Sequence, residues 1–413
     1  MTLDRQFNTI TETISSLEEE MIAFQKAITA IPALCPTSGG EGEWDKAMFI
    51  REYLTKHGVA NIQQIDAPDP AAKNGVRPNL IARIPGESNA KTIWLMAHTD
   101  VVPEGDVGLW DSDPWQAIVK DGKIYGRGTE DNQQGVTSSV FVLRAFIDAK
   151  IKPRYDVAVI LAADEETGSA LGLEYLLEHH REMFSDDDII VVPDAGEPDS
   201  TMIEVAEKSI LWLKFTTEGK QCHASTPDAG INAFRAASEL VVNLDALHSD
   251  FAVRDEVFNP PISTFQPTKK EANVGNVNTI PGQDVFYLDC RILPTIAPDK
   301  VLEQCRKYAD AISEQHGVKV SIDIEQRADA APATPANATV VELLKRGIKQ
   351  VYGVDATAQG IGGGTVAAVF RAAGLHAAVW STLDDMCHQP NEYCVIDHMV
   401  NDTKVFAHLC LED

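Results

Sequence analysis

Four apolar, strand-like runs of this chain each lead into residues that can bind a metal or move a proton. TIWLMA runs into His98-Thr99-Asp100, VAVILAA into Asp164-Glu165-Glu166 and IIVV into Pro193-Asp194-Ala195-Gly196-Glu197, while HAAVW leads through STLDDMC to His388. Any one of these alone reads more readily as a surface loop. Four together read as one site, because ligands of open α/β sheets bind at the carboxyl ends of the strands. Imidazoles and carboxylates without cysteine form a borderline-hard donor set suited to Zn, with Co or Mn possible, and too rich in nitrogen for Ca or Mg. Asp100, two residues beyond His98 on an extended segment, falls on the same side and can orient the imidazole through its second ring nitrogen. A fifth segment, Gly126-Arg127-Gly128-Thr129-Glu130-Asp131-Asn132, stands just before a helical pattern. An acid there can be a simple cap, but in this company Asp131 is a candidate ligand.

Such residues need a scaffold, and the hydrophobic pattern supplies one. Strand-like runs alternate with helical stretches such as SSVFVLRAFIDA and LGLEYLLEHH, the signature of a doubly wound, mostly parallel α/β sheet. At the N-terminus, Phe7, Ile10, Ile14, Leu17, Met21, Phe24 and Ile28 recur in steps of three and four, which predicts one face of an amphipathic helix. The middle of the chain reads strand, helix, two strands, helix, strand, from ILWLKFTTEG to VKVSIDI. That order predicts a ferredoxin-like α+β sandwich inserted into the larger sheet, with RADAAPATPANA as the return linker. The expected domains are therefore residues 1–208 and 326–413 as one discontinuous catalytic domain and 209–325 as an inserted lid or dimerisation domain. The run Gly360-Ile-Gly-Gly-Gly-Thr invites a dinucleotide-binding reading, but Thr365 stands where the third glycine belongs and no clear strand precedes it.

Composition removes several function classes. With 62 Asp+Glu against 35 Lys+Arg, a net charge of −27 repels nucleic acid and anionic membrane surfaces. No apolar run approaches the roughly 20 residues that span a bilayer. The opening MTLDRQFNTITETISS lacks the basic and apolar regions of a signal peptide, so the expected compartment is the cytosol. Seven scattered cysteines without a CxxC pair suit reduced thiols rather than a disulfide framework or a thiolate site.

The motifs HTDVVP at 98–103, GRGTEDN at 126–132, DEETGS at 164–169, GKQCHAS at 219–225, NVNTIPG at 276–282, DCR at 289–291, GGGT at 362–365 and HQPNE at 388–392, in this order, resemble those of the M20 co-catalytic zinc amidohydrolases and peptidases. That family includes acetylornithine deacetylases, succinyl-diaminopimelate desuccinylases, aminoacylases and several di- and aminopeptidases. The resemblance implies two divalent metals, with Asp131 bridging, His98 and Asp194 on one ion and Glu166 and His388 on the other. Glu197 is the alternative to Asp194. It implies Glu165 as general acid/base, Asp100 as orienter of His98, and His223 as an oxyanion-binding residue that often serves the dimer partner. Arg291 matches a clamp for a substrate carboxylate, and Asn278 and Thr365 match substrate-contacting positions. A cis peptide is implied at Asp131-Asn132.

The expected activity is metal-dependent cleavage of an amide bond in a small N-acyl amino acid or short peptide, in a homodimer. A dipeptidase or aminopeptidase is the alternative within the same chemistry; a non-catalytic, metal-stabilised dimeric binding protein is the alternative outside it. Asp384, where desuccinylases usually have Asn, and Val-Ala after Thr365 in place of Ser-Asp weaken a succinyl-diaminopimelate assignment.

Overall fold

The computed structural model describes residues 2–412. Two helices, Leu3–Ser16 and Glu18–Thr29, replace the single N-terminal helix expected from periodicity. At Leu17 the backbone reaches φ −95° and ψ 0°, and its N–H bonds Ile14 O three residues back, a 3₁₀-type turn that closes the first helix. The apolar steps of three and four run on through this break, so the pattern conceals it. The buried set is nonetheless the one periodicity selects, from Phe7 and Ile10 to Phe24 and Ile28.

The chain folds as two compact units. The first takes the chain up to Val205, resumes at Ala333–Ala358 and again from Thr365 onward. An eight-stranded sheet has the strand order Asn61–Pro68, Val76–Ile84, Tyr155–Ala162, Ser88–His98, Ile189–Gly196, Ala377–Ser381, Met202–Glu207, Thr357–Ile361. Its four central strands run parallel, and antiparallel pairs flank them on both sides. The central runs are buried almost without interruption, as strands covered on both faces require. Trp94, Met96 and Ile160 pack with Leu173, Leu176 and Phe370 of the helices Leu173–His179 and Ala367–Ala372. Helix Gln133–Ala149 contacts the strands Ser88–His98, Tyr155–Ala162 and Ile189–Gly196.

A strand, Thr357–Ile361, does lead into the glycine run at 362–364, correcting the sequence expectation. Its residues TAQGI carry little of the apolar signal by which strands are recognised. Only a helix of 6 residues, Ala367–Ala372, follows.

Deep in the first unit, Arg371 forks onto Glu204, with Nη1 donating to Oε1 at 3.0 Å and Nη2 to Oε2 at 2.7 Å, and both side chains are almost fully buried. Removing one partner leaves a buried charge uncompensated. Arg371→Ala is expected to cost about 3–5 kcal/mol, read as a lower urea midpoint of the first unit's transition; an unchanged midpoint would contradict it.

The second unit is Ala206–Pro332 with Gln359–Gly364. Its four-stranded antiparallel sheet has the order Thr264–Lys270, Gln283–Ile292, Ser209–Glu218, Lys319–Ala328. Helices Ala233–Leu244 and Pro298–His316 complete the ferredoxin-like succession of elements. Leu211, Leu213 and Phe215 alternate inward and meet Phe286, Leu288 and Cys290, with the Phe215 and Phe286 rings stacked at 4.7 Å. All seven cysteines are free thiols. Among the described residues no helix is long and apolar enough to cross a membrane.

Candidate metal centre

Every segment singled out at a strand end in the first unit arrives at one place. His98 closes its strand and Asp194 lies within Ile189–Gly196, two strands that pair in parallel, so one edge of the sheet presents both. Asp131 stands in the turn before helix Gln133–Ala149, Glu165 and Glu166 open the 3₁₀ turn after Tyr155–Ala162, and His388 projects from the loop after Ala377–Ser381. His98 Nε2 lies 3.0 Å from Asp131 Oδ1 and 3.4 Å from Asp194 Oδ1. His388 Nε2 lies 3.2 Å from Asp131 Oδ2 and 3.1 Å from Glu166 Oε2. His98, Asp131 and Asp194 thus form one triad, and Asp131, Glu166 and His388 another; in each, the ligand atoms lie within 4.8 Å of one another. Asp131 belongs to both, one oxygen turned to each histidine. Glu165 Oε2 approaches His98 Nε2 at 3.9 Å and joins neither triad.

The donor set fits divalent cations of the Zn, Co or Mn type. Two imidazoles and three carboxylates converge, and among the described residues the buried Glu166 Oε1 has no hydrogen-bond partner. A buried carboxylate oxygen left unpaired is costly, and coordination would satisfy it. Glu197, the alternative to Asp194, is exposed on the turn that follows. Asn132 Nδ2 donates to Asp194 Oδ1 and to Pro193 O, both at 2.6 Å, and so aims the Asp194 carboxylate. The Asp131-Asn132 peptide is cis.

Asp100 does more than the orienting role read from the sequence. Its Oδ1 lies 3.3 Å from His98 Nδ1. The same carboxylate also accepts from the backbone N–H of Glu165 at 3.1 Å and of Glu166 at 3.0 Å, holding the turn that carries both glutamates. Behind it, Glu43 and Arg77 form a buried ion pair; Arg77 Nη1 lies 3.3 Å from Asp164 Oδ1, and the Asp164 N–H donates to Glu43. Lys46 is buried among Asp100, Glu43 and Glu392, and burial lowers its ammonium to about 8. Spacing concealed these supports, because they lie on distant elements or on a helix whose pattern announces only packing. Glu130 and Glu392, which carry the loops described below, stand inside the GRGTEDN and HQPNE motifs, and that position was the available signal.

In the second unit the strand Cys222–His223 pairs with Thr279–Ile280, and Asn278 O accepts from the Ala224 N–H at 2.8 Å, so His223 and Asn278 share one small ladder. His223 is exposed, with the Ser225 hydroxyl 2.7 Å from its Nδ1. Arg291 forks onto Asp289 and donates from Nη1 to Gly362 O at 2.9 Å. Thr365 belongs to the first unit and is half-buried.

The two histidines are electrostatically primed. Burial alone would lower His98, but the charge of Asp194 and hydrogen bonds to Asp100, Asp131 and Asp194 hold it well above its usual value. Hydrogen bonds to Asp131 and Glu166 push His388 up to about 10. Without metal both rings are therefore cationic at pH 7, whereas a metal needs them neutral. Metal uptake at pH 7 is expected to release about two protons per chain, measured by calorimetry in buffers of different ionisation enthalpy; zero release would refute this. Because both folded-state values are raised, the histidine pairs stabilise metal-free protein fully below about pH 6.5, the unfolded value. The His388 part of that contribution is lost as pH rises through about 10.

An α/β sheet that gathers two histidines and three carboxylates into fused triads at its strand ends is the scaffold of a metallohydrolase. Residues 94–412 match the model of peptidase family M20/M25/M40, and the chain belongs to that family. It is 38% identical over 412 residues to an uncharacterised metallohydrolase of Methanococcus maripaludis, covering 95% of this chain and 99% of that one. It is 26% identical to a succinyl-diaminopimelate desuccinylase of Nitratiruptor, over 90% of this chain and 94% of the other. Its fold matches human carnosine dipeptidase 1 with a TM-score of 0.73 at 19% identity, covering 98% of both chains.

Proposed function

We propose that the protein hydrolyses the amide bond of a small N-acyl amino acid or short peptide. The observation that carries this reading is the pair of triads sharing Asp131, with the carboxylate of Glu165 beside them but in neither. His98, Asp131 and Asp194 would hold one divalent cation and Asp131, Glu166 and His388 the other, with Zn the best suited and Co or Mn served by the same donors. When bound, such a pair polarises a scissile carbonyl and acidifies water. Glu165 takes the proton of the attacking water and returns it to the leaving amine. Burial, together with the anionic neighbours Asp194, Asp100 and Asp131, raises its carboxyl well above the ordinary range against the opposing pull of His98, the direction a proton carrier at neutral pH requires. Asp100 keeps the His98 ring and the Glu165 backbone in register.

On this reading Arg291 recognises a substrate carboxylate, Asn278 and Thr365 contact the substrate, and His223 stabilises the developing oxyanion. The second unit, Ala206–Pro332 with Gln359–Gly364, serves as lid and dimerisation domain, the role expected of residues 209–325. The desuccinylase relative supports an N-acyl amino acid as substrate; the fold match to a dipeptidase supports a short peptide as the second reading. Metal-reconstituted protein screened against N-acetyl amino acids, N-succinyl amino acids and dipeptides, with release of free amine as readout, separates them. No amine release from any class would overturn the proposal.

We read the protein as a cytoplasmic homodimer. The strand Thr264–Lys270 ends its sheet with an unpaired edge, and Phe234 and Val242 are exposed on the adjoining helix at 46% and 71%. Pairing two copies would cover both. Phe234→Glu with Val242→Glu is expected to convert the dimer to monomer in sedimentation velocity, with a loss of turnover of at least about tenfold if His223 serves the partner's site. A dimer that persists in the double variant would contradict this placement of the interface.

A further inference from the structure

Two buried carboxylates lock the Asp131 turn and the His388 loop to each other, each by gripping the backbone of the other's segment. Glu392, four residues after His388, accepts through Oε1 from the N–H of Glu130 at 2.9 Å and of Asp131 at 3.1 Å. Its Oε2 accepts from Arg127 Nη1 at 2.7 Å and from the Gly128 N–H at 2.9 Å. In return Glu130, next to Asp131, accepts through Oε1 from the Asp384 N–H at 2.7 Å and through Oε2 from the Met386 N–H. Glu392 is fully buried and Glu130 is 3% exposed. Within the loop Gln389 bonds back to Asp385 O and Met386 O, but Asp385, His388 and Asn391 have φ of +62°, +62° and +60°, a region that non-glycine residues enter at a cost. The His388 side chain is 54% exposed, so packing contributes little to its position.

We propose that Glu130 is a positioning residue that makes the cation position of Asp131, Glu166 and His388 depend on its grip on the His388 loop, while the position of His98, Asp131 and Asp194 does not; Glu392, which holds the Asp131 turn, supports the ligand that both positions share. The inference rests on the proposed two-cation reading. His98 is registered against Ala162 in the central sheet and Asp194, on the neighbouring strand, is aimed by Asn132 Nδ2, so neither is held by the Glu130 carboxylate. His388 comes from a loop whose backbone donors at 384 and 386 both end on Glu130. A glutamine at 130 offers one acceptor oxygen where two divergent N–H groups need two, so the loop loses one anchor and the His388 ring its fixed place.

The test titrates metal-free wild type, Glu130→Gln and His388→Ala with Co²⁺, read by calorimetry and by the visible cobalt spectrum. Wild type should take two ions and His388→Ala one. Glu130→Gln should keep the ion that His388→Ala also keeps within about threefold and bind the ion that His388→Ala loses at least about tenfold less well, the size of effect that outer partners of metal ligands exert, with its absorption band shifted. Glu130→Gln taking both ions within threefold of wild type would overturn the clamp alone. Equal weakening of both ions would overturn the selectivity and make Glu130 a general prop of the site. A wild type that takes a single ion would overturn the two-cation reading and the inference with it. Should Glu130→Gln fail to fold, hydrogen exchange on wild type decides: the Asp384 and Met386 amides should be protected without metal, and free exchange there would overturn the clamp.

Discussion

Glu165→Gln protein is expected to lose between about 10²- and 10⁴-fold in kcat while still binding two divalent ions per chain. The substitution keeps shape and size but removes the group that accepts the water's proton. The Glu165 side chain belongs to neither triad, so metal uptake should survive. The backbone N–H of residue 165 would still reach Asp100, so the turn that presents Glu166 should also survive. The measurement pairs steady-state kinetics on the best substrate with metal stoichiometry by inductively coupled plasma mass spectrometry. Full activity in a metal-loaded Glu165→Gln enzyme would remove Glu165 from the proton pathway. Lost activity with lost metal would make it a structural or ligating group instead.

The second large effect belongs to Asp131. Because its two oxygens face His98 and His388 separately, Asp131→Ala should weaken both cation positions together, by about 10²-fold or more. Asp194→Ala should weaken only the position containing His98, and Glu166→Ala only the one containing His388. These three variants form an internal control: a shared ligand predicts one double loss and two single losses. Competition with a chelator of known affinity measures each. An Asp131→Ala protein that keeps one ion at wild-type affinity would show that the triads are independent, and the paired-cation chemistry would fall with that result.

Much of this centre was legible in the chain. His98, Glu165, Glu166, Asp194 and His388 follow apolar runs whose composition announces buried strands, and the ends of such strands are where an open α/β sheet places its ligands. The order of elements in the second unit could be read equally directly, because alternation along Ser209–Glu218 and Gln283–Ile292 is a local pattern of period two. Where local pattern was silent, reading stopped. The break at Leu17 lies inside an unbroken apolar periodicity, and the strand Thr357–Ile361 has hardly any apolar residues to betray it. Between Asp194 and Glu197, three residues apart in PDAGEP, the sequence favours Asp194 because it follows the IIVV run, with Glu197 as the alternative; the folded chain sets Asp194 beside His98 and turns Glu197 outward to solvent.

The sequence by itself determined which chemical groups are available and which strand ends present them, since residue type and hydrophobic period act over a few neighbouring residues. Tertiary structure alone decided how those groups are held. Glu130 meets the 384–386 backbone across more than 250 residues of chain, and Glu392 meets the Asp131 turn across a similar span. Asp100 reaches the Glu165 turn across 65 residues. A hydrogen bond between distant segments leaves no period in either one, because its geometry exists only after the sheet has brought both strand ends to the same edge.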